Sequence, residues 1–168
     1  MSSNDEPILG PEFDPGLGER EERPDIAENI RRLVMEQAFC VLCTQGQDQP
    51  YGSLIAYAPT EDVKTLFFST PVATRKFKLL SECSRVAFLI DNRCQYPEDM
   101  TRIEAVTITG RASRIEAGPD LKRGIGLLRG RHPYLEHFLK SDSTALFRVD
   151  VIRCLHVTRF QEVSQWIP

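Results

Sequence analysis

Thr65-Leu66-Phe67-Phe68-Ser69-Thr70-Pro71-Val72-Ala73-Thr74-Arg75-Lys76-Phe77-Lys78-Leu79-Leu80 changes character half-way along. Leu66, Phe67 and Phe68 in succession predict a strand and Ser69-Thr70-Pro71 a turn. Val72, Lys76 and Leu79-Leu80 then share one helical face at 3.6 spacing, which predicts a helix over about Val72–Ser81. Ser69, Thr70, Thr74, Arg75 and Lys76 crowd the point where strand passes to helix. Free amides at a helix start, the positive end of its dipole, hydroxyls and two cations together suit a phosphate. The same residues also read as ordinary capping, with Ser69 or Thr70 before the helix, Pro71 at its first position and two solvated cations.

Upstream, Phe39 to Thr44 and Pro50 to Ala58 read as two strands joined through Gln45-Gly46-Gln47-Asp48 as a hairpin. Before them, Asp25 reads as an N-cap with Glu28 completing a capping box. Ile26, Ile30, Leu33 and Val34 form one face of a helix over about Asp25–Gln37. Downstream, Arg85 to Asp91 is apolar on both faces, which predicts a place in the middle of a sheet. Ile103 to Ile115 reads as a long strand with a bulge or bend at Gly110. Asp120 to Arg129 and Pro133 to Leu139 read as helices. Ala145 to Val151 and Cys154 to Phe160 are two final strands or one bent strand. Short connections between mostly β segments predict a β-barrel with helices packed outside it, not a doubly wound parallel sheet. Val86, Phe88 and Ile90 with Val106 and Ile108 offer more apolar strand face than one small barrel interior should cover, which predicts an obligate homodimer.

The chain has 168 residues and a net charge of −3. Residues 1–24 hold seven acids against Arg20 and Arg23, so this segment carries −5 and the remainder +2. A flexible acidic arm over 1–24 and one folded domain over 25–168 are expected. Nothing in the charge pattern suits nucleic acid. No apolar run reaches membrane-spanning length and no signal pattern opens the chain, so a cytoplasmic protein is expected. Five cysteines, an odd number, fit reduced thiols, each buried or half-buried. Cys40 and Cys43 lie three apart on a predicted strand and point to opposite faces, so no redox or metal pair is expected. His132 and His137 flank Pro133 without ligand spacing, and His156 reads as a half-buried strand residue. Tyr51, Tyr57 and Tyr134 are stacking candidates or core. Arg111 and Arg114 read as a solvated outer face.

Phe39-Cys-Val-Leu-Cys-Thr44, Gln49-Pro-Tyr-Gly-Ser-Leu-Ile55, Leu66-Phe-Phe-Ser69, Ala73-Thr-Arg-Lys76, Arg85-Val-Ala-Phe-Leu-Ile90 and Glu104-Ala-Val-Thr-Ile-Thr-Gly110 follow one another along residues 25–160. In order and spacing this resembles the FMN-binding split-barrel proteins of the pyridoxamine 5′-phosphate oxidase-like superfamily. The resemblance implies a mainly β fold with flanking helices, built on a six-stranded antiparallel split β-barrel. It also implies a homodimer with FMN at the subunit interface. Thr74, Arg75 and Lys76 look like the family's phosphate clamp, with Thr70 among the hydroxyls beside it. Ser53, Leu54 and Ile55 look like the strand whose backbone lies along the flavin ring, and Phe68 and Ser69 like a second strand position that touches the cofactor.

The chain departs from the oxidase proper at several of these positions. Ser53 stands where the oxidase has an Arg, Ala58 where it has a substrate-phosphate Lys, and Ala105 where it has a flavin-contacting Gln. The Tyr-x-x-x-Arg-x-x-x-Ser helix has no counterpart in Asp120 to Ser141, and no Arg follows Trp166. An FMN-dependent oxidoreductase acting on a different small molecule is therefore expected. A non-catalytic flavin carrier or sensor, or a haem-handling relative with a C-terminal His as iron ligand, are the alternatives.

Overall fold

The computed structural model describes residues 24–158 and 162–168. The expected arm, apart from its last residue, lies outside the described residues. Helix α1 runs Pro24–Glu36 and places Asp25 within the helix instead of before it. Ile30, Leu33 and Val34 are fully buried along its predicted face. Strands β1, Phe39–Gly46, and β2, Gln49–Pro59, form the expected hairpin. Gln47 and Asp48 at its tip have φ of 55° and 56°. Both central residues of a type I′ turn need this left-handed backbone.

Strand β3 (Thr65–Pro71), helix α2 (Arg75–Glu82), strand β4 (Arg85–Asp91) and strand β5 (Ala105–Ile115) follow. Helices α3 (Pro119–Arg131) and α4 (Glu136–Leu139) precede strands β6 (Thr144–Thr158) and β7 (Glu162–Trp166). The sheet order is β3-β2-β1-β4-β5-β6-β7, and β3 also pairs with β6. That second pairing closes a six-stranded antiparallel barrel, with β7 added outside it on β6. The two final segments are one long strand, and β7 was not foreseen. The Glu162–Trp166 run is too short and polar to stand out without β6 beside it.

Period-2 alternation fills the barrel. Leu42, Phe68, Phe88 and Ile108 all point inward and are fully buried. The Phe68 ring stacks on Phe147 at 5.2 Å and meets Phe88 edge-on at 6.0 Å. Burial of one such side chain contributes about 1.5–3 kcal/mol. Helix α1 lays its apolar face into the same core. Helix α3 packs outside, against Phe67, Ala58 and Leu146. Its Gly124 allows this approach, since a Cβ there would sit 2.6 Å from the Phe67 ring. The bulge expected at Gly110 is present as a register shift between Thr109 and Gly110. A Cβ at Gly110 would meet the Asp150 carbonyl at 2.6 Å.

Two expectations need correction. Val86, Phe88, Ile90, Val106 and Ile108 are all buried inside one barrel, so they leave no apolar surplus. The surplus lies on the alternate positions, where Leu54 is 72% and Phe39 49% exposed. Cys40 and Cys154 are buried and Cys83 half-buried, but Cys43 and Cys94 are exposed. Cys43 lies on the outer face because it sits three residues from the inward Cys40. Among the described residues no helix is long and apolar enough to cross a membrane.

Candidate functional site

Strands β2 and β3 pair only at Tyr57 with Phe68, Ala58 with Phe67 and Pro59 with Leu66. An unbroken antiparallel ladder would go on to set Ile55 opposite Thr70. Instead the strands part. Past Phe68, β3 follows β6, with Ser69 beside Leu146, Thr70 beside Ala145 and Pro71 beside Thr144. Residues Gln49 to Ala56 of β2 stay with β1. The barrel wall therefore has an open seam. One lip is the β3-side edge of Ser53, Leu54 and Ile55, whose main-chain groups have no strand partner there. Such an edge is a template for another hydrogen-bonding partner.

The other lip ends at the start of α2. Thr74, with φ −106° and ψ 154°, caps this helix, and its Oγ1 accepts from Phe77 N at 3.2 Å. The Thr74 hydroxyl lies 2.8 Å from the Pro71 carbonyl, which can only accept. Its proton is thus committed, and Thr70 must donate across the 3.1 Å between the two hydroxyl oxygens. The expected helix start at Val72, capped by Ser69 or Thr70, is corrected: β3 continues through Pro71, and Val72 and Ala73 lie outside the helix. Thr70 and Thr74 hold the corner in shape. The Arg75 and Lys76 amides, at the first turn, have no partner among the described residues and lie at the positive helix end.

Two cations stand there. Arg75 is exposed, and its guanidinium carbon lies 5.1 Å above the centre of the Tyr51 ring. Lys76 is half-buried, and burial pulls its pKa below the usual lysine range, against a raising influence from the neighbouring Cys40. Burial pushes the Cys40 thiol well up, so it stays neutral and does not compensate Lys76. Neither Arg75 nor Lys76 has a carboxylate partner among the described residues, whereas Arg32, Arg93, Arg114 and Arg148 each do. On β2, the Ser53 Oγ is buried with no hydrogen-bond partner. A buried hydroxyl left so is uncommon in a folded protein; among the described residues Arg131 Nε, Thr144 Oγ1 and His156 Nε2 share that state.

Not every expected residue reaches this place with its side chain. Phe68 is inside the barrel core, so only its backbone borders the seam. Ile55 points inward and is 5% exposed, while Leu54 points outward. Ser69 faces away from Thr70 and lines a separate cavity of about 350 Å³ with Arg114, Leu121, Leu139 and Thr144. Arg114 is not simply solvated, since its guanidinium lies 5.4 Å over the Phe77 ring. Tyr51, a stacking candidate from the sequence, was not linked to Arg75. Its period-2 relation to Ser53 was the available signal, since both fall on one face of the strand.

A second polar cluster lies at the other end of β2. His132 Nε2 is 2.9 Å from the Tyr57 carbonyl and must donate to it, so in the neutral ring Nδ1 accepts from Tyr134 Oη at 3.1 Å. Tyr57 Oη donates to the Val34 carbonyl at 2.7 Å. Arg131 Nη2 donates to the carbonyls of Gln37 at 2.6 Å and Val34 at 3.2 Å, closing the end of α1. Tyr57 is thus core rather than a stacking platform. His156 is more buried than expected, at 4% exposure. Its Nε2 is 3.5 Å from Glu104 Oε2, outside hydrogen-bond geometry, and burial lowers its pKa despite that carboxylate. Among the described residues no group of three His, Cys, Asp or Glu side chains is arranged to hold a metal ion.

The fold recurs in solved structures. A haem-binding protein from Mycobacterium smegmatis superposes with a TM-score of 0.77 at 17% identity, over 86% of this chain and 59% of that one. The chain thus spans less than two thirds of that protein's length. The haem storage protein HutZ from Vibrio cholerae gives 0.64 at 16% identity, covering 83% of this chain and 92% of the other. An FAD-binding protein from Mesorhizobium loti gives 0.62 at 14% identity, covering 77% and 92%. No curated protein matches the sequence. The family described as pyridoxamine 5′-phosphate oxidase matches residues 26–158, the span from the first turns of α1 to the end of β6. The chain belongs to the pyridoxamine 5′-phosphate oxidase family.

Proposed function

We propose that the seam between β2 and β3 binds FMN and that the protein is an FMN-dependent oxidoreductase. The observation that carries this reading is the state of the seam's groups. Two cations without carboxylates, two free helix-start amides and an orphaned Ser53 hydroxyl lie around it, beside an unpaired strand edge. The residues fit the group: Arg75, Lys76 and the amides suit a phosphate, and the edge of Ser53, Leu54 and Ile55 suits the polar rim of a flavin ring. When bound, FMN supplies the hydride and electron chemistry. The chain's own residues bind and orient it, and no side chain needs to act as acid or base.

Pyridoxamine 5′-phosphate is not the favoured substrate. Ala58, where the oxidase has its phosphate-binding Lys, is buried under α3 with Phe67 and Leu128. A second copy of the chain completes the site. Leu54 pairs across the hairpin with Val41, and Val41 across β4 with Leu89, so these outward side chains form an apolar sheet face beside the seam. Covering that face with its equivalent buries Leu54 and closes the seam on its outer side. A cytoplasmic location agrees with five unpaired cysteines. A haem reading gains no support from His132 or His156: both His132 nitrogens are bonded and His156 is buried against Glu104.

Sedimentation of the protein with FMN, followed at flavin absorbance, tests the reading. A dimer carrying flavin is expected, which NADH or NADPH bleaches and air restores. A protein that leaves all FMN unbound overturns the cofactor, a flavin-loaded monomer overturns the dimer, and flavin inert to every reductant favours a carrier.

A further inference from the structure

We infer that Tyr51 is a positioning residue for phosphate recognition: its ring holds the Arg75 guanidinium in place at the seam without neutralising it. This rests on the FMN reading above and names a part of the site that the resemblance does not. The described arginines are held in two ways, by carboxylates or over aromatic rings. Arg32 pairs with Glu104, Arg93 with Asp91 and Arg148 with Asp120, which occupies their N–H donors and cancels their charge. Arg75 is of the second kind, with its central carbon 5.1 Å above the centre of the Tyr51 ring, as Arg31 is over Trp166 and Arg102 over Tyr96; what sets it apart is its place at the helix start beside Lys76. An aromatic face attracts the flat face of a guanidinium and leaves the in-plane donors at its edge free. Those edge donors are the ones that grip a phosphate two at a time.

The placement also bridges the site. Tyr51 belongs to β2, two residues before the orphaned Ser53 hydroxyl, while Arg75 opens α2. The Tyr51–Arg75 pair therefore spans from one lip of the seam to the other. An exposed arginine otherwise samples many rotamers and loses that freedom on binding. With the ring beneath it, part of that loss is already met in the folded protein, so a phosphate meets a pre-organised donor.

The test compares FMN with riboflavin, which lacks the phosphate, in the wild type and in Tyr51→Leu and Tyr51→Phe, by flavin fluorescence titration. In the wild type FMN binds more tightly than riboflavin. Tyr51→Leu loses about two- to thirty-fold in FMN affinity, the worth of one cation–π contact, and leaves riboflavin affinity unchanged. Tyr51→Phe keeps the wild-type preference, because the ring face and not the hydroxyl holds the arginine. Tyr51→Thr, a good strand former, serves in place of Leu if that variant folds poorly, and riboflavin affinity reports an intact seam. A wild type that binds both flavins equally overturns the phosphate site and the inference with it. A wild type that prefers FMN, with Tyr51→Leu retaining the full preference, overturns the role of Tyr51 alone. Equal losses in Tyr51→Phe and Tyr51→Leu also overturn it, since the hydroxyl would then be responsible.

Discussion

The two ends of strand β2 carry polar clusters of opposite character. Around Tyr57, polar groups find partners: the phenol meets the Val34 carbonyl, His132 is bonded through both ring nitrogens, and Arg131 closes the last carbonyls of α1. Around Ser53, groups are left open: a hydroxyl without a partner, two cations without carboxylates, and a strand edge without a strand. Burying polar groups is tolerated only when their hydrogen bonds are met. The Tyr57 end meets them internally, apart from the buried Arg131 Nε, and ties α1, β2 and α3 together. On the FMN reading proposed above, the Ser53 end leaves them for the cofactor, and the difference separates structural polar residues from binding ones on a single strand.

Three perturbations test the contrast, taken from the largest effect to the smallest. Replacing Arg75 and Lys76 together with Gln should weaken FMN by roughly a hundred-fold to ten-thousand-fold. Each charged hydrogen bond is worth about 1.5–3 kcal/mol, and shared neighbours make the upper end a ceiling. The melting temperature of the flavin-free protein should barely move. Equal FMN affinity in the two proteins would place the phosphate elsewhere.

Arg131→Ala should do the reverse. It strips the Gln37 carbonyl of its donor and lowers folding stability by about 2–3 kcal/mol, read as a shift in urea midpoint. FMN affinity at temperatures where the variant is folded should match the wild type. A variant as stable as the wild type would show that this cluster is not the tie described.

The smallest effect carries the sharpest sign. Ser53→Ala removes a buried hydroxyl that has no partner, so the flavin-free protein should gain about 1 kcal/mol. The same change should weaken FMN several-fold, and thermal melts with and without FMN measure both. A variant destabilised in the flavin-free form would mean that Ser53 is satisfied in solution.

Much of this molecule is local in origin and so was legible from the chain. The 3.6 spacing of Ile30, Leu33 and Val34 follows from backbone geometry within one element and is borne out by burial; the apolar run of Arg85–Asp91 does place β4 mid-sheet, although only the Val86, Phe88 and Ile90 face is fully inside. Gly110 announced its bulge for the same reason. Arg75 and Lys76 were legible as anion-binding candidates because a helix start and two cations are contiguous in sequence. The helix start itself was misplaced. Pro71 and Thr74 can each open a helix, and the choice fell to Thr74 because β6 keeps β3 extended through Pro71.

What the chain by itself determined is most of the strands and helices, β7 excepted, together with the apolar faces of several of them and where the charge lies. Only the tertiary structure decided that β2 and β3 part after Phe68 while β3 stays paired with β6, and so that a seam exists. It also decided that Ser69 turns away from that seam, that Tyr51 reaches Arg75, and that Tyr57 and His132 are spoken for. The physical reason is that side-chain period is a property of a few neighbouring residues. Strand partnership instead depends on competition among edges far apart in sequence, and a hydrogen bond's absence can be seen only when every possible partner has a place.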